Sequence, residues 1–355
     1  MKTATSQQKI DGIPSEMLYQ MPSEWQRHEA TWLSWPQNKE TWPGVMLNRV
    51  EEIYLQMLEG LLPHEKVHLL LQDEKEQEKV LNLLRQRKVS IKNLVPHAAP
   101  TIDTWIRDYG PTFVKKQDGS KAWIKWIFNA WGGKYKDLML DNQVFIRHRN
   151  LVEHPVFDAG FILEGGSIEV NGQGVVITTE QCLLNKNRNA HLSQEQIEQN
   201  LKDYLGISEV VWLKEGIEGD DTDGHIDDIV RFVNENTIVS AYENDASDNN
   251  YAPLKDNWET LEQYSREHGK NWNLVKLPMP GKVGEREGGR LPASYANFYI
   301  ANNVVLLPVY SHANDQKAIE IVTDLFPTRE IIPIECTELV YGMGSIHCVT
   351  QQEPV

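Results

Sequence analysis

Cys348 stands in Gly342-Met343-Gly344-Ser345-Ile346-His347-Cys348-Val349-Thr350-Gln351-Gln352, behind two glycines and ahead of a polar run. The glycines would let backbone approach a ligand closely. A free cysteine is usually a small buried hydrophobe, but as a thiolate it is a nucleophile. Three other stretches bear on which it is. Asp220-Asp221-Thr222-Asp223-Gly224-His225-Ile226-Asp227-Asp228 sets an imidazole two residues from a carboxylate. On a strand His225 and Asp227 would share a face, and the pair suits proton transfer near neutral pH. An exposed acidic loop is the competing reading; a metal site lacks a second histidine at ligand spacing. Trp105-Ile106-Arg107-Asp108-Tyr109-Gly110-Pro111 places Asp108 just before a turn, where it could also be a turn cap. Leu163-Glu164-Gly165-Gly166-Ser167 ends an apolar strand with Glu164 beside two glycines, a pattern equally suited to a hairpin corner. His347 would point away from Cys348 on a strand and reads as a packed or surface histidine.

One chemistry uses a cysteine, a histidine and several carboxylates together. A guanidinium is a planar, permanently charged cation that carboxylates grip with paired hydrogen bonds. Its carbon is a poor electrophile until that charge is held and a nucleophile is aligned. An isolated thiol is only about 3% thiolate at pH 7. Nearby carboxylates lower that fraction, whereas a bound cation and a protonated histidine raise it, so the substrate would help to activate its own nucleophile.

These residues need a scaffold. The 355 residues suffice for a sizeable core. A net charge of -16 excludes a phosphate-binding surface for nucleic acid and an anionic membrane surface, and is compatible with a cationic ligand. Three scattered cysteines make neither a disulfide framework nor a Cys-x-x-Cys zinc site. No signal-peptide core or membrane-length apolar run occurs, so a cytoplasmic protein is expected. Residues 1–20 are polar and expected to fray, with a single catalytic domain over 21–355. Helical spacing predicts five helices, near residues 50, 78, 198, 262 and 320. The third has Ser193 and Gln196 as a capping box and Gly206 as its C-cap. Strands are expected over 30–35, 67–71, 102–114, 122–128, 157–170, 175–179, 226–233, 237–242, 295–300, 304–309, 330–334 and 346–349. Alternating strands and helices without a flexible linker give an α/β class built from several similar units. The glycine-rich stretch 281–290 lacks the P-loop ending and the strand–helix setting of a dinucleotide fingerprint, and reads as a surface loop.

Met21-Pro22-Ser23-Glu24-Trp25, His28-Glu29-Ala30-Thr31-Trp32-Leu33-Ser34-Trp35-Pro36, the Asp108, Glu164, His225 and Cys348 stretches, and Leu291-Pro292-Ala293-Ser294-Tyr295-Ala296-Asn297-Phe298-Tyr299-Ile300 together resemble agmatine deiminase. That family is grouped with the bacterial peptidylarginine deiminases in the guanidine-modifying superfamily. The matches run in order from Met21 to Gln352. The resemblance implies a five-bladed pseudo-symmetric α/β propeller (the pentein fold), hydrolysis of agmatine to N-carbamoylputrescine and ammonia on a route to putrescine, no metal or organic cofactor, and a homodimer or higher homo-oligomer. It implies Cys348 as nucleophile, His225 as general acid and base, Asp108 and Asp227 as guanidinium ligands, Glu164 as an active-site glutamate and Trp105 in the substrate channel. Asp221, with Asp220 and Asp223, is a candidate for the distal ammonium. Ala190 stands where many relatives have proline, which is expected to alter a loop only. The rival readings are a peptidylarginine or free-arginine deiminase, an amidinotransferase, and a non-catalytic guanidine- or polyamine-binding protein.

Overall fold

A computed structural model describes residues 8–355. Five of its sheets share one plan: a first strand antiparallel to a second, and the second parallel to a third. Unit 1 pairs Thr350–Pro354 with His28–Ser34, Lys66–Leu71 and a fourth strand, Leu94–Ala98. Unit 2 pairs Thr112–Lys115, Lys121–Ile127 and Val156–Ile162. Unit 3 pairs Glu169–Val170, Val175–Thr179 and Glu209–Leu213. Unit 4 pairs Val230–Asn234, Thr237–Tyr242 and Asn273–Pro278. Unit 5 pairs Tyr299–Ile300, Val304–Val309 and Glu330–Glu335. Unit 1 is the exception in chain order, since its first strand comes from the far end of the sequence and closes onto His28–Ser34.

The parallel step in each unit needs a crossover. Helices Met46–Leu61, Gln194–Leu205, Tyr251–Glu267 and Asp315–Leu325 supply it in units 1, 3, 4 and 5. The predicted stripe Val50, Ile53, Tyr54, Met57, Leu58 and Leu61 is buried, and so are Ile197, Leu201 and Leu205. The Ser193–Gln196 capping box and the left-handed Gly206 cap form as expected. The five expected helices all form, but they are not distributed one per unit. Glu74–Gln86 is a second crossover inside unit 1, and unit 2 crosses through the short turns Ala130–Gly133, Asp137–Gln143 and Val144–Arg147. That stretch has no sustained helical stripe, and Gly132 and Gly133 adopt positive φ.

Buried apolar side chains lie between neighbouring units. Val114 and Ile124 of unit 2 join Val170 and Val176 of unit 3, and Val175 and Ile177 of unit 3 join Phe232 and Ile238 of unit 4. The expectation that residues 1–20 fray is corrected over 8–20. The Ile10 amide donates to Val156, the Gln20 amide to Lys115, and Tyr19 is buried edge-on against Phe157. Ile10, Met17 and Tyr19 give this polar segment enough apolar anchors to dock on the unit 2–3 core. Residues 1–7 lie outside the described residues. No helix of the described residues is long and apolar enough to cross a membrane.

Candidate active site

The candidate residues sit in tight turns just before the first strand of each unit, not on strands. Asp108 is in the single helical turn Ile106–Tyr109 before unit 2. Glu164 precedes the turn Gly165–Ser167 of unit 3. His225 leads into the turn Ile226–Asp228 of unit 4, which contains Asp227. Cys348 is in the turn His347–Val349 before the closing strand of unit 1. Unit 5 contributes Asn297, from the loop ahead of Tyr299–Ile300. The strands expected over 102–114 and 295–300 are therefore shortened, the one over 157–170 is split by the turn Gly165–Ser167, the one over 346–349 gives way to a turn with the strand following from Thr350, and the strand argument for His225 and Asp227 is replaced by a turn.

The turns nevertheless converge. A side-chain carbon at Gly166 would meet His225 Nδ1 at 2.6 Å, Asp108 Oδ1 at 3.0 Å and Asp227 Oδ2 at 3.1 Å. Glycine is thus required for all three to close in. His225 Nδ1 is 3.9 Å from Asp108 Oδ1. Asp108 accepts hydrogen bonds from the Gly166 amide and from Trp131 Nε1, each at 2.9 Å. Cys348 Sγ lies 3.2 Å from the Asn297 side-chain nitrogen and 3.8 Å from Asp227 Oδ2. A side-chain carbon at Gly344 would strike the Trp105 ring at 2.6 Å and Cys348 Sγ at 3.3 Å, which accounts for the glycine ahead of the thiol.

Burial is the largest influence on these groups. It pushes the Cys348 thiol well above its usual range, and Asp227, Asp228 and Asp108 push it further. It also raises the Asp108 carboxyl to about 6, with His225 opposing and Asp227 and Glu164 adding to the rise. Burial would lower His225, but Asp108, Cys182 and Asp227 outweigh it and hold the imidazole well above its ordinary value. Burial raises Asp227 too, yet the hydrogen bond and charge of His347 bring it below the usual carboxylate range. Three acids beside the thiol oppose its ionisation, and a bound cation would ease it.

A cavity of about 760 Å³ opens onto Cys348, Asp108, Trp105, Trp131, Tyr135 and Asp221. His225, Asp227 and Glu164 are not in its wall; they pack behind Asp108 and Cys348. Of the three loop acids, Asp221 alone lines the cavity, with Tyr135 Oη donating to it at 2.5 Å. Asp220 holds the turn through the amides of Thr222, Gly224 and His225, and Asp223 is paired with Lys134 and Arg188. The 281–290 stretch forms the small hairpin Glu285–Arg286 and Gly289–Arg290, and Arg286 reaches the cavity wall. His347 is packed, as expected, but not idle: Nδ1 is 2.7 Å from Asp227 Oδ2.

Three residues escaped the sequence reading. Asn297, inside a quoted motif, contacts the thiol. Trp131 binds Asp108 from the crossover of unit 2, a stretch to which the sequence reading assigned no element. Arg188 sits in the loop expected to matter little, and its Nε is 2.7 Å from Glu164 Oε1, both side chains fully buried. Glu164, Cys182 and His225 also bring one ligand atom each within 4.8 Å of one another. That juxtaposition is not legible in the sequence, because Cys182 is 43 positions from His225 and lies on a different unit. The Arg188 guanidinium on Glu164 opposes a dication there, so the group is better suited to handling protons than to holding a metal.

The family described as the Porphyromonas-type peptidyl-arginine deiminases matches residues 20–354. The chain is similar to a structure of the Enterococcus faecalis agmatine deiminase catalysing its reaction, at 31% identity and a TM-score of 0.88, covering 98% of this chain and 99% of that one. It is similar also to a cysteine-to-serine variant of the C. jejuni agmatine deiminase with substrate bound, at 32% identity and a TM-score of 0.82, covering 94% and 96%. With five α/β units placing a thiol, an imidazole and carboxylates in one cluster, the chain belongs to the Porphyromonas-type peptidyl-arginine deiminase family. Within it the chain falls with the agmatine deiminases, as a hydrolase acting on a guanidino carbon–nitrogen bond.

Proposed function

We propose that the protein hydrolyses agmatine to N-carbamoylputrescine and ammonia, through an amidino-thioether on Cys348. The observation that carries this reading is the position of the Cys348 thiol at the end of an acidic, tryptophan-lined cavity, with Asp108 in the same wall and His225 and Asp227 directly behind. Asp108 and Asp227 hold the guanidinium, and its charge offsets the acids that keep the thiol protonated. The Cys348 thiolate attacks the guanidinium carbon. The bond to one terminal nitrogen breaks, and His225 gives that nitrogen the proton it needs to leave as ammonia. A water that loses a proton to His225 then attacks the same carbon, the carbon–sulfur bond breaks, and the thiolate returns. Glu164, anchored by Arg188, keeps a carboxylate oxygen beside His225 through both steps. Asp221 takes the distal ammonium at the far end of the cavity, and Trp105 flanks the carbon chain between.

The five units are the blades of a propeller around this site, and residues 21–355 act as one catalytic domain. A cytoplasmic homo-oligomer feeding putrescine synthesis, without metal or cofactor, completes the reading. The test offers agmatine, arginine and an arginyl peptide and measures ammonia and ureido product. Release from agmatine alone is expected; none from agmatine would end the proposal. Cys348→Ser is expected to abolish turnover with an unchanged melting curve, and full turnover in excess chelator is expected.

A further inference from the structure

A buried chain of charge leads away from Asp227, and its other members have no part in the chemistry just proposed. It starts at Glu24, in the stretch before the first strand, 5% exposed. Glu24 Oε1 accepts from Arg231 Nη2 and from the Ile300 amide, both at 2.8 Å. Glu24 Oε2 is 2.7 Å from His347 Nε2, and His347 Nδ1 is 2.7 Å from Asp227 Oδ2. Arg107 donates to the His347 carbonyl at 3.2 Å and stands 3.6 Å from Glu24. Arg231 is held in turn by Glu169. At the end of this chain, Asp227 Oδ1 is buried and has no hydrogen-bond partner among the described residues.

We infer that Glu24 is a positioning residue: through His347 it fixes Asp227 by one oxygen, leaves the other free for the guanidinium, and holds His347 as the counter-charge that lets Cys348 ionise 3.8 Å from Asp227. The inference rests on the proposed role of Cys348. The hydrogen-bond accounting is simple. Two carboxylate oxygens each face a ring nitrogen of His347, and only the doubly protonated ring has an N–H for both. Glu24 thereby keeps a cation against Asp227 that would otherwise have to be drawn from solvent into a closed core. Asp227 stays oriented, and its repulsion of the neighbouring thiolate is reduced. The other groups facing Cys348 are Asp108, Asp228 and, more remotely, Tyr54; those facing His347 are Glu24, Asp227, Arg107 and Glu169.

Glu24→Gln isolates the charge. The amide oxygen can still accept from Arg231 and Ile300, and its nitrogen can donate to His347, which then keeps its single proton on the side of Asp227. The geometry survives and the cation is lost. The measurement is the pH dependence of Cys348 alkylation by iodoacetamide without substrate, followed on the Cys348 peptide by mass spectrometry, beside a thermal melt and steady-state kinetics on agmatine. The expected result is a cooperative melt, an alkylation midpoint about one pH unit higher, and kcat lower by about tenfold with KM within about threefold. His347→Asn keeps a donor at the Nδ1 position but cannot reach Glu24. It is expected to show the same upward shift, and it carries the test should Glu24→Gln not fold. Alkylation with wild-type pH dependence in a folded variant would overturn the inference. Because alkylation needs no substrate, a wild-type protein inert toward agmatine would remove the proposed function without altering this result.

Discussion

Asp108 shows how much one carboxylate is asked to do. Both oxygens are already engaged, by Gly166 and Trp131, and its carboxyl is raised to about 6 by burial, with Asp227 and Glu164 adding to the effect. The guanidinium needs the ionised form, so affinity is lost as pH falls through about 6. Asp221 is likewise raised to about 6, chiefly by burial. The kcat/KM profile for agmatine, which reports the free enzyme, is expected to fall below pH 6 by roughly a hundredfold per unit, one factor of ten for each acid. Asp221→Asn should lower kcat/KM and halve that slope to about tenfold per unit. A wild-type slope in that variant would place the ammonium elsewhere. At this scale the sequence was most legible where short motifs carry titratable groups: Cys348, His225, Asp108, Asp227 and Glu164 all fall in one cluster. Asn297, Trp131 and Arg188 were not assigned because an amide, an indole and a surface-type cation say nothing of their role until a partner distant in sequence is beside them.

The elements explain what was misread. A single helical turn of three or four residues has too few positions for a 3.6 period to register, so apolar residues flanking Asp108, Asp227 and Cys348 read as strand. The long helices were legible because each repeats an apolar stripe over several turns. The closing strand illustrates how charge secures an element. Glu353 on Thr350–Pro354 accepts from Trp32 at 2.9 Å and sits near His154 and Lys121. Burial would raise its carboxyl, but these partners depress it to about 2 from 4.5. A depressed carboxyl gives stability that is present above the unfolded value and is lost as pH falls through the folded one. Glu353→Gln is therefore expected to cost about 3 kcal/mol in urea titration at pH 7. Wild type and variant should converge between about pH 4.5 and 2. A constant gap across that window would assign the loss to packing rather than charge.

For the whole molecule, composition set the class and little else. Net charge and cysteine count only narrowed the partners to expect, whereas the pairing that closes unit 1 left no local trace, since its two strands lie at opposite ends of the sequence. His28–Ser34 pairs with both Lys66–Leu71 and Thr350–Pro354. Deleting residues 350–355 would bare one edge of His28–Ser34, remove the Glu353 acceptor of Trp32 and leave Lys121 with Glu29 but without Glu353 and Pro354. That variant is expected to lose its cooperative melt, as followed by circular dichroism, although no proposed reacting atom has been removed.

The same closure orders events in time. Trp32 and Glu353 are 321 residues apart, so their contact closes a far longer loop than the hairpins and crossovers within units 2 to 5. Local pairs form sooner than distant ones. The thiol sits in the turn that leads into the closing strand, and its acids sit in units that can assemble earlier. A refolding chain should therefore regain its helical signal before it regains turnover, and the interval between the two would be a clock for the pairing of the two chain ends.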